Sequence, residues 1–210
     1  MIPYQIIVIG ASQGGTRALQ SLLADLPEDF PLPVVIVLHR GKGSDEMLIS
    51  VMQKSTSLPV SEAEDKELIV PRRVYLAPPD YHLLIDVARI ASPSKSVEAM
   101  LAGKSDRQAG LQASFALSTD APVQKARPSI DVLFQSAAET YGRRVIGIIL
   151  TGASRDGAEG LASIKTRGGL ALVQDPTTAE SALMPQAAVC HADQVLRLPE
   201  IAALIAGTDN

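Results

Sequence analysis

The run Val8-Ile9-Gly10-Ala11-Ser12-Gln13-Gly14-Gly15-Thr16-Arg17 ends an apolar stretch and sets three glycines around one serine. Gly10, Ser12 and Gly14 satisfy G-x-S-x-G, a turn in which small neighbours let a strand bend sharply into a helix and leave the serine hydroxyl exposed as a nucleophile. The N–H groups opening the next helix would then be free to stabilise an oxyanion. The same glycines also approach G-x-G-x-x-G, which cradles a dinucleotide phosphate. Its second glycine position, however, holds Ser12, and the strand that should end on a ribose-binding acid ends at His39-Arg40. Arg40 would suit a 2′-phosphate, so a nucleotide-binding module built on the 10–15 loop remains a rival. The plainest alternative makes Ser12 an ordinary helix cap.

A serine nucleophile needs a base and a group that orients the base. His39 closes the apolar run "VVIVLHR", and its Nε2 is the atom expected to take the Ser12 proton. Asp156 lies in "TGASRDG", a few residues after the run "VIGIIL" and flanked by glycine, so its carboxylate can turn back toward the imidazole. Each has a plainer reading, His39 as a polar strand terminator and Asp156 as the cap of a helix near Gly157. Three residues of the required types at one sheet edge favour the hydrolytic set. The stretch 151–157 also has the glycine content of a dehydrogenase turn, but Asp156 and Ala158 stand where that turn needs glycine.

Fewer claims attach to the remaining candidates. His82, His191 and the single cysteine, Cys190, show no metal-ligand spacing, so no metal and no cofactor is expected. Arg127-Pro128-Ser129-Ile130-Asp131 reads first as a helix start, with Ser129 as cap and Asp131 favourable to the dipole. Arg127 is a candidate for drawing an acidic substrate helix into the cleft. Met184 is a candidate for its lining, with core packing as the default for a methionine.

The elements that must position these residues follow from hydrophobic patterning. Residues 4–9, 33–38, 73–77, 145–150 and 170–173 read as strands, several apolar throughout, as strands covered on both faces are. Between them 16–26, 44–54, 129–141, 158–167 and 179–189 form helices with one apolar stripe. That alternation predicts an α/β fold, a single-domain doubly wound and mostly parallel sheet with helices on both faces, over residues 1–210. Ser12, His39 and Asp156 then all follow strands at the carboxyl edge, where such folds build their sites. Residues 92–127 break the rhythm and are read as an irregular excursion with no clear strand. At 210 residues the chain can bury one sizeable core. A net charge of −4 argues against nucleic acid as a partner, and no apolar run is long enough for insertion into a membrane. The lone cysteine and the lack of a signal-peptide pattern agree with a cytoplasmic location.

Several long stretches in order, "IGASQGGTRAL", "VYLAPPDYHLLI", "RPSIDVLFQSAAETYG", "VIGIILTGASRDGAEGL" and "GGLALVQDPTTAESALMPQAAV", give the chain a resemblance to the catalytic domain of the chemotaxis receptor-glutamate methylesterases, the CheB family. That resemblance implies hydrolysis of glutamyl methyl esters, and deamidation of glutamines, on helices of methyl-accepting chemotaxis receptors. It assigns Ser12 as nucleophile, His39 as base and Asp156 as the residue orienting it. The backbone N–H groups of Gln13 and Ala153 are the expected oxyanion hole. The chain departs from the family's usual residues at Gln13, at Ala153-Ser154, at Leu183 and in "RGKGSDEM", which touches specificity more than chemistry. Family members commonly carry a receiver domain. A stand-alone form is expected to be basally active, with a separate response regulator as the candidate controller in trans. A catalytically idle scaffold that binds receptor helices is the remaining alternative.

Overall fold

The computed structural model describes residues 4–39, 46–87 and 112–207. Seven strands form one sheet in the order β3-β4-β2-β1-β7-β8-β9. They are β1 (Ile6–Ala11), β2 (Val34–Leu38), β3 (Val60–Glu62), β4 (Val74–Leu76), β7 (Val145–Ile149), β8 (Leu170–Gln174) and β9 (Gln194–Leu196), and every pairing among them is parallel. The first half of the chain builds outward from β1 to one side and the second half outward from β7 to the other. The strand order therefore reverses between β1 and β7, which leaves a crevice at their carboxyl ends.

Alternation along β1 explains the two-sided core. Ile7, Ile9 and Ala11 pack with Leu19, Leu22 and Leu23 of α1 (Gly15–Ala24), Met52 of α2 (Glu46–Gln53) and Ile201 and Ile205 of α6 (Leu198–Ala206). Ile6 and Val8 face the other way, onto α3 (Ile130–Tyr141), α4 (Ala158–Thr166) and α5 (Leu183–Ala188), through Leu133, Phe134, Leu161, Ile164 and Met184. Period-two side chains on a sheet covered on both faces give the apolar runs seen in the sequence.

Part of the 92–127 excursion is regular, against expectation. Residues 92–111 lie outside the described residues, but β6 (Ala113–Ser118) pairs antiparallel with β5 (His82–Val87) in a separate two-stranded sheet. "ASFALS" carries no β-branched residue and little intrinsic strand preference. Tertiary packing supplies what propensity lacks: Phe115 is fully buried and meets Tyr75 edge-on at 4.9 Å between centroids. The helix expected over 179–189 is also shorter, since residues before Leu183 are committed to hydrogen bonds with the loop after β7.

Candidate active site

The turn after β1 is built around Gly14, which adopts φ 78°, a left-handed conformation open mainly to glycine, and serves as N-cap of α1. No side chain caps that helix, so Ser12 is not spent as a cap. Its backbone is anchored instead: Ser12 N–H donates to the Thr151 carbonyl at 3.0 Å, and Ser12 C=O accepts from Gly15 N–H at 2.8 Å. The half-buried side chain is left to face a pocket of about 270 Å³ that it shares with His39, rimmed by Thr16, Leu38, Met47 and Val51. A larger cavity of about 430 Å³ lies at the opposite, amino edge between Tyr4, Pro33, Val70 and Tyr141, away from all three candidate residues.

His39 follows β2, and its N–H donates to the Ala11 carbonyl at 3.0 Å, which holds it beside the serine turn. Its imidazole bonds Asp156 at 2.7 Å. The contact uses Nε2, so the expected ring orientation is corrected. Asp156 arrives from across the crevice and occupies Nε2. A carboxylate only accepts, so Nε2 carries the proton and the lone pair sits on Nδ1. Nδ1 is therefore the atom available to a nucleophile.

Asp156 is fully buried and does not cap the helix that follows it, whose N-cap is Gly157 with no side-chain bond. Its carboxylate accepts from His39 Nε2 and Ile130 N–H through Oδ2, both at 2.7 Å. Oδ1 accepts from the Ser129 hydroxyl at 2.8 Å and Asp131 N–H at 3.1 Å. Burial alone would raise its pKa. The His39 bond, the two backbone amides and the Ser129 hydroxyl together outweigh that and hold it below the ordinary 3.8. The carboxylate is therefore ionised at neutral pH.

Thr151 and Gln174 hold the loops of the site together, and sequence reasoning missed them. The buried Thr151 hydroxyl donates to the Gln13 carbonyl at 2.9 Å and accepts from Ser181 N–H at 2.8 Å, while Thr151 N–H donates to Gln174 Oε1 at 2.9 Å. One side chain thus ties the serine turn to two further loops. Thr151→Val keeps the shape but leaves both the Gln13 carbonyl and the Ser181 amide unpaired. It should cost about 1–3 kcal/mol in denaturant unfolding and lower turnover at least about tenfold. Normal turnover in that variant would show that the tie is dispensable.

The other candidates are placed as follows. Among the described residues, the N–H groups of Gln13 and Ala153 find no hydrogen-bond acceptor, and both residues are exposed. Met184 is buried, and it lies under the point where Gly152 meets Ser12. A Cβ on Gly152 would fall 2.7 Å from the Met184 sulfur and 2.9 Å from the Ser12 Cβ, so Met184 supports the floor of the site. Arg127 does not line the pocket. Its guanidinium binds Asp80 at 2.8 Å and the carbonyls of Thr119 and Asp120. Buried His82 accepts from Ser129 N–H through Nδ1 at 3.2 Å and bonds the Ala121 carbonyl through Nε2, one residue removed from Asp156. Among the described residues no group of three or more His, Cys, Asp or Glu side chains could hold a metal ion, and no helix is long and apolar enough to cross a membrane. Arg40 and the loop 41–45 lie outside the described residues.

Comparison with known proteins adds to this geometry. Residues 7–205 match the CheB methylesterase family. A Leptospira interrogans protein, named as a candidate protein-glutamate methylesterase/protein-glutamine glutaminase, is 43% identical over 98% of this chain and 95% of its own length. The protein-glutamate methylesterase/protein-glutamine glutaminase 1 of Carboxydothermus hydrogenoformans is 37% identical over 96% of this chain, which spans 54% of that protein. Among solved structures, the CheB methylesterase catalytic domain of Thermotoga maritima superimposes with a TM-score of 0.84 at 30% identity, covering 98% of each chain.

Proposed function

The chain belongs to the CheB methylesterase family, and on that premise we propose that residues 1–210 form one cytoplasmic catalytic domain that hydrolyses glutamyl methyl esters on the helices of chemotaxis receptors. The observation that carries this reading is the 2.7 Å bond from His39 Nε2 to the buried Asp156 carboxylate, beside a pocket that Ser12 and His39 line together.

The steps follow from the ring orientation. Asp156 keeps the proton on Nε2 and so leaves Nδ1 free to take the proton of the Ser12 hydroxyl. Ser12 Oγ attacks the ester carbonyl of the methylated side chain. The unpaired N–H groups of Gln13 and Ala153 receive the oxyanion. His39 Nδ1–H returns the proton to the methoxy group, methanol leaves, and a glutamyl ester on Ser12 remains. Water, deprotonated by the same Nδ1, cleaves that ester and frees the glutamate side chain and Ser12. With a glutamine side chain the same steps expel ammonia. The apolar rim of Leu38, Met47 and Val51 suits the aliphatic stem of the substrate and the apolar positions of its helix.

Methanol release from methylated receptor helices tests the reading, and its pH dependence tests the base. Hydrolysis should fall once the pH is low enough to protonate His39, because the imidazolium has no lone pair on Nδ1 to take the Ser12 proton. A rate that stays level from pH 8 down to 5 would remove His39 from the role of base. Turnover that appears only after a phosphorylated partner is added would replace basal activity with obligatory control in trans.

A further inference from the structure

The N-termini of α3 and α4 are capped by exchanged aspartates. Asp156, two residues before α4, accepts from the first-turn amides of α3, those of Ile130 and Asp131. Asp131, in that first turn, reaches the other way and accepts through one oxygen, Oδ1, from Gly157 N–H at 2.9 Å and Gly160 N–H at 2.7 Å at the start of α4. Its second oxygen accepts from the exposed Gln124 amide at 2.9 Å. Gly160 permits the close approach: a Cβ there would lie 2.6 Å from the Phe134 Cβ and 3.0 Å from the Asp131 Cα.

Capping and the helix dipoles account for the charge only in part. Serine or asparagine caps a helix about as well as aspartate, and two neighbouring carboxylates in a dry site repel. Asp131 is only 3% exposed and stands against the fully buried Asp156. A second acid kept there at such a cost points to the group that Asp156 serves.

We propose that Asp131 is a positioning residue for the hydrolysis: acting through Asp156, its carboxylate holds that acid against His39 and adds a second negative charge behind the imidazole, strengthening it as a base. The proposal rests on the reading of Asp156 as the residue that orients His39. Burial raises the Asp131 carboxyl, the amides of Gly160 and Gly157 oppose that, and the Asp156 charge adds to it, with the result near 6. Ionised above about pH 6, it favours the imidazolium that forms as Ser12 is deprotonated. Other titratable groups on the packed elements are His82 of β5, bonded to Ser129 N–H, exposed Asp86 of the same strand, Arg127, paired with Asp80, Tyr141 at the end of α3, and Lys165 of α4, paired with Asp193. Arg155 and Glu159 are exposed on either side of Asp156, and Arg167 pairs with Glu139 at the far ends of α4 and α3.

Asp131→Asn is the informative variant, because its Oδ1 still accepts from Gly157 and Gly160, while exposed Gln124 can turn its amide to accept from the new Nδ2. The variant should unfold at a similar denaturant concentration, keep KM within about twofold and lose roughly tenfold in kcat at neutral pH. The acid limb of its rate profile, and the His39 midpoint followed by NMR, should both move down by about one pH unit. A folded variant with unchanged kcat, or with lower kcat and an unmoved His39 midpoint, would overturn the proposal. Should the variant not fold, the wild type still decides: the Asp131 carboxyl, followed by NMR, should be ionised at the pH of full activity, and a carboxyl still protonated there would overturn the proposal. Ser12→Ala and His39→Ala run beside it keep the two readings apart. Active triad variants would sink the mechanism itself, whereas inactive ones beside an unchanged Asp131→Asn would sink only the role of Asp131.

Discussion

Ser12→Ala should lower methanol release from methylated receptor helices by about 10⁴-fold or more, to background, with the fold intact. The half-buried side chain gives no cap to α1, and the turn is held by the Ser12 backbone and by Gly14, so removing the hydroxyl costs little stability. Ser12→Gly is sharper, because it completes G-x-G-x-x-G. A loop that binds phosphate through backbone amides would keep or improve its affinity in that variant. A nucleophile would be lost as fully as with alanine. Wild-type protein soaked with NADPH or ATP offers a parallel check, since a ligand at 100 times its Kd adds about 2.7 kcal/mol of stability. A melting shift in the wild type that grows in Ser12→Gly, together with full turnover in Ser12→Ala, would turn the reading from hydrolase to nucleotide binder.

The second large effect is expected from Asp156→Asn. Four donors converge on the Asp156 carboxylate: His39 Nε2, the Ser129 hydroxyl and the amides of Ile130 and Asp131. An asparagine side chain brings its own N–H₂ into that set and must face one of them. The imidazole and the Ser129 hydroxyl can each change from donor to acceptor; where the N–H₂ takes the place of Oδ2 it is the imidazole that must do so, and its proton moves to Nδ1, where the Ser12 proton has to go. Turnover should drop by about 10⁴-fold, as in other serine hydrolases whose orienting acid is replaced by its amide. The loss should sit in kcat, with substrate binding largely kept, because no part of Asp156 reaches the pocket. Turnover within about tenfold of wild type would mean that His39 takes its orientation from something else.

Much of this arrangement was legible in the sequence, for physical reasons. Ile6–Ala11, Val34–Leu38 and Val145–Ile149 are apolar on both faces, so they announce the central parallel strands, and the residues just beyond them fall at one edge of the sheet. The candidate chemistry could therefore be placed together before any coordinates. The β5–β6 pair was not legible in its second strand, since Ala113–Ser118 is a strand by virtue of what it packs against and not by composition. Nor could patterning show which imidazole nitrogen meets Asp156, because that depends on the direction from which the carboxylate arrives. Ser129 and Asp131 read correctly as the start of their own helix, and Ser129 does accept from Val132 N–H. Their larger role appears only when α3 and α4 pack and each helix start meets the other's aspartate. Thr151 escaped notice for a similar reason, as its partners Gln13 and Ser181 are far from it along the chain.

The central claim is that Ser12 forms a covalent bond during the reaction because His39 activates it. A serine-directed fluorophosphonate, followed by peptide mapping, tests that bond without needing the receptor substrate. Wild-type protein should be labelled at Ser12 in a single position, and His39→Ala should be labelled far more slowly, since the base that draws off the hydroxyl proton is gone. Labelling at a different serine, or equal labelling of Ser12 with and without His39, would contradict the mechanism.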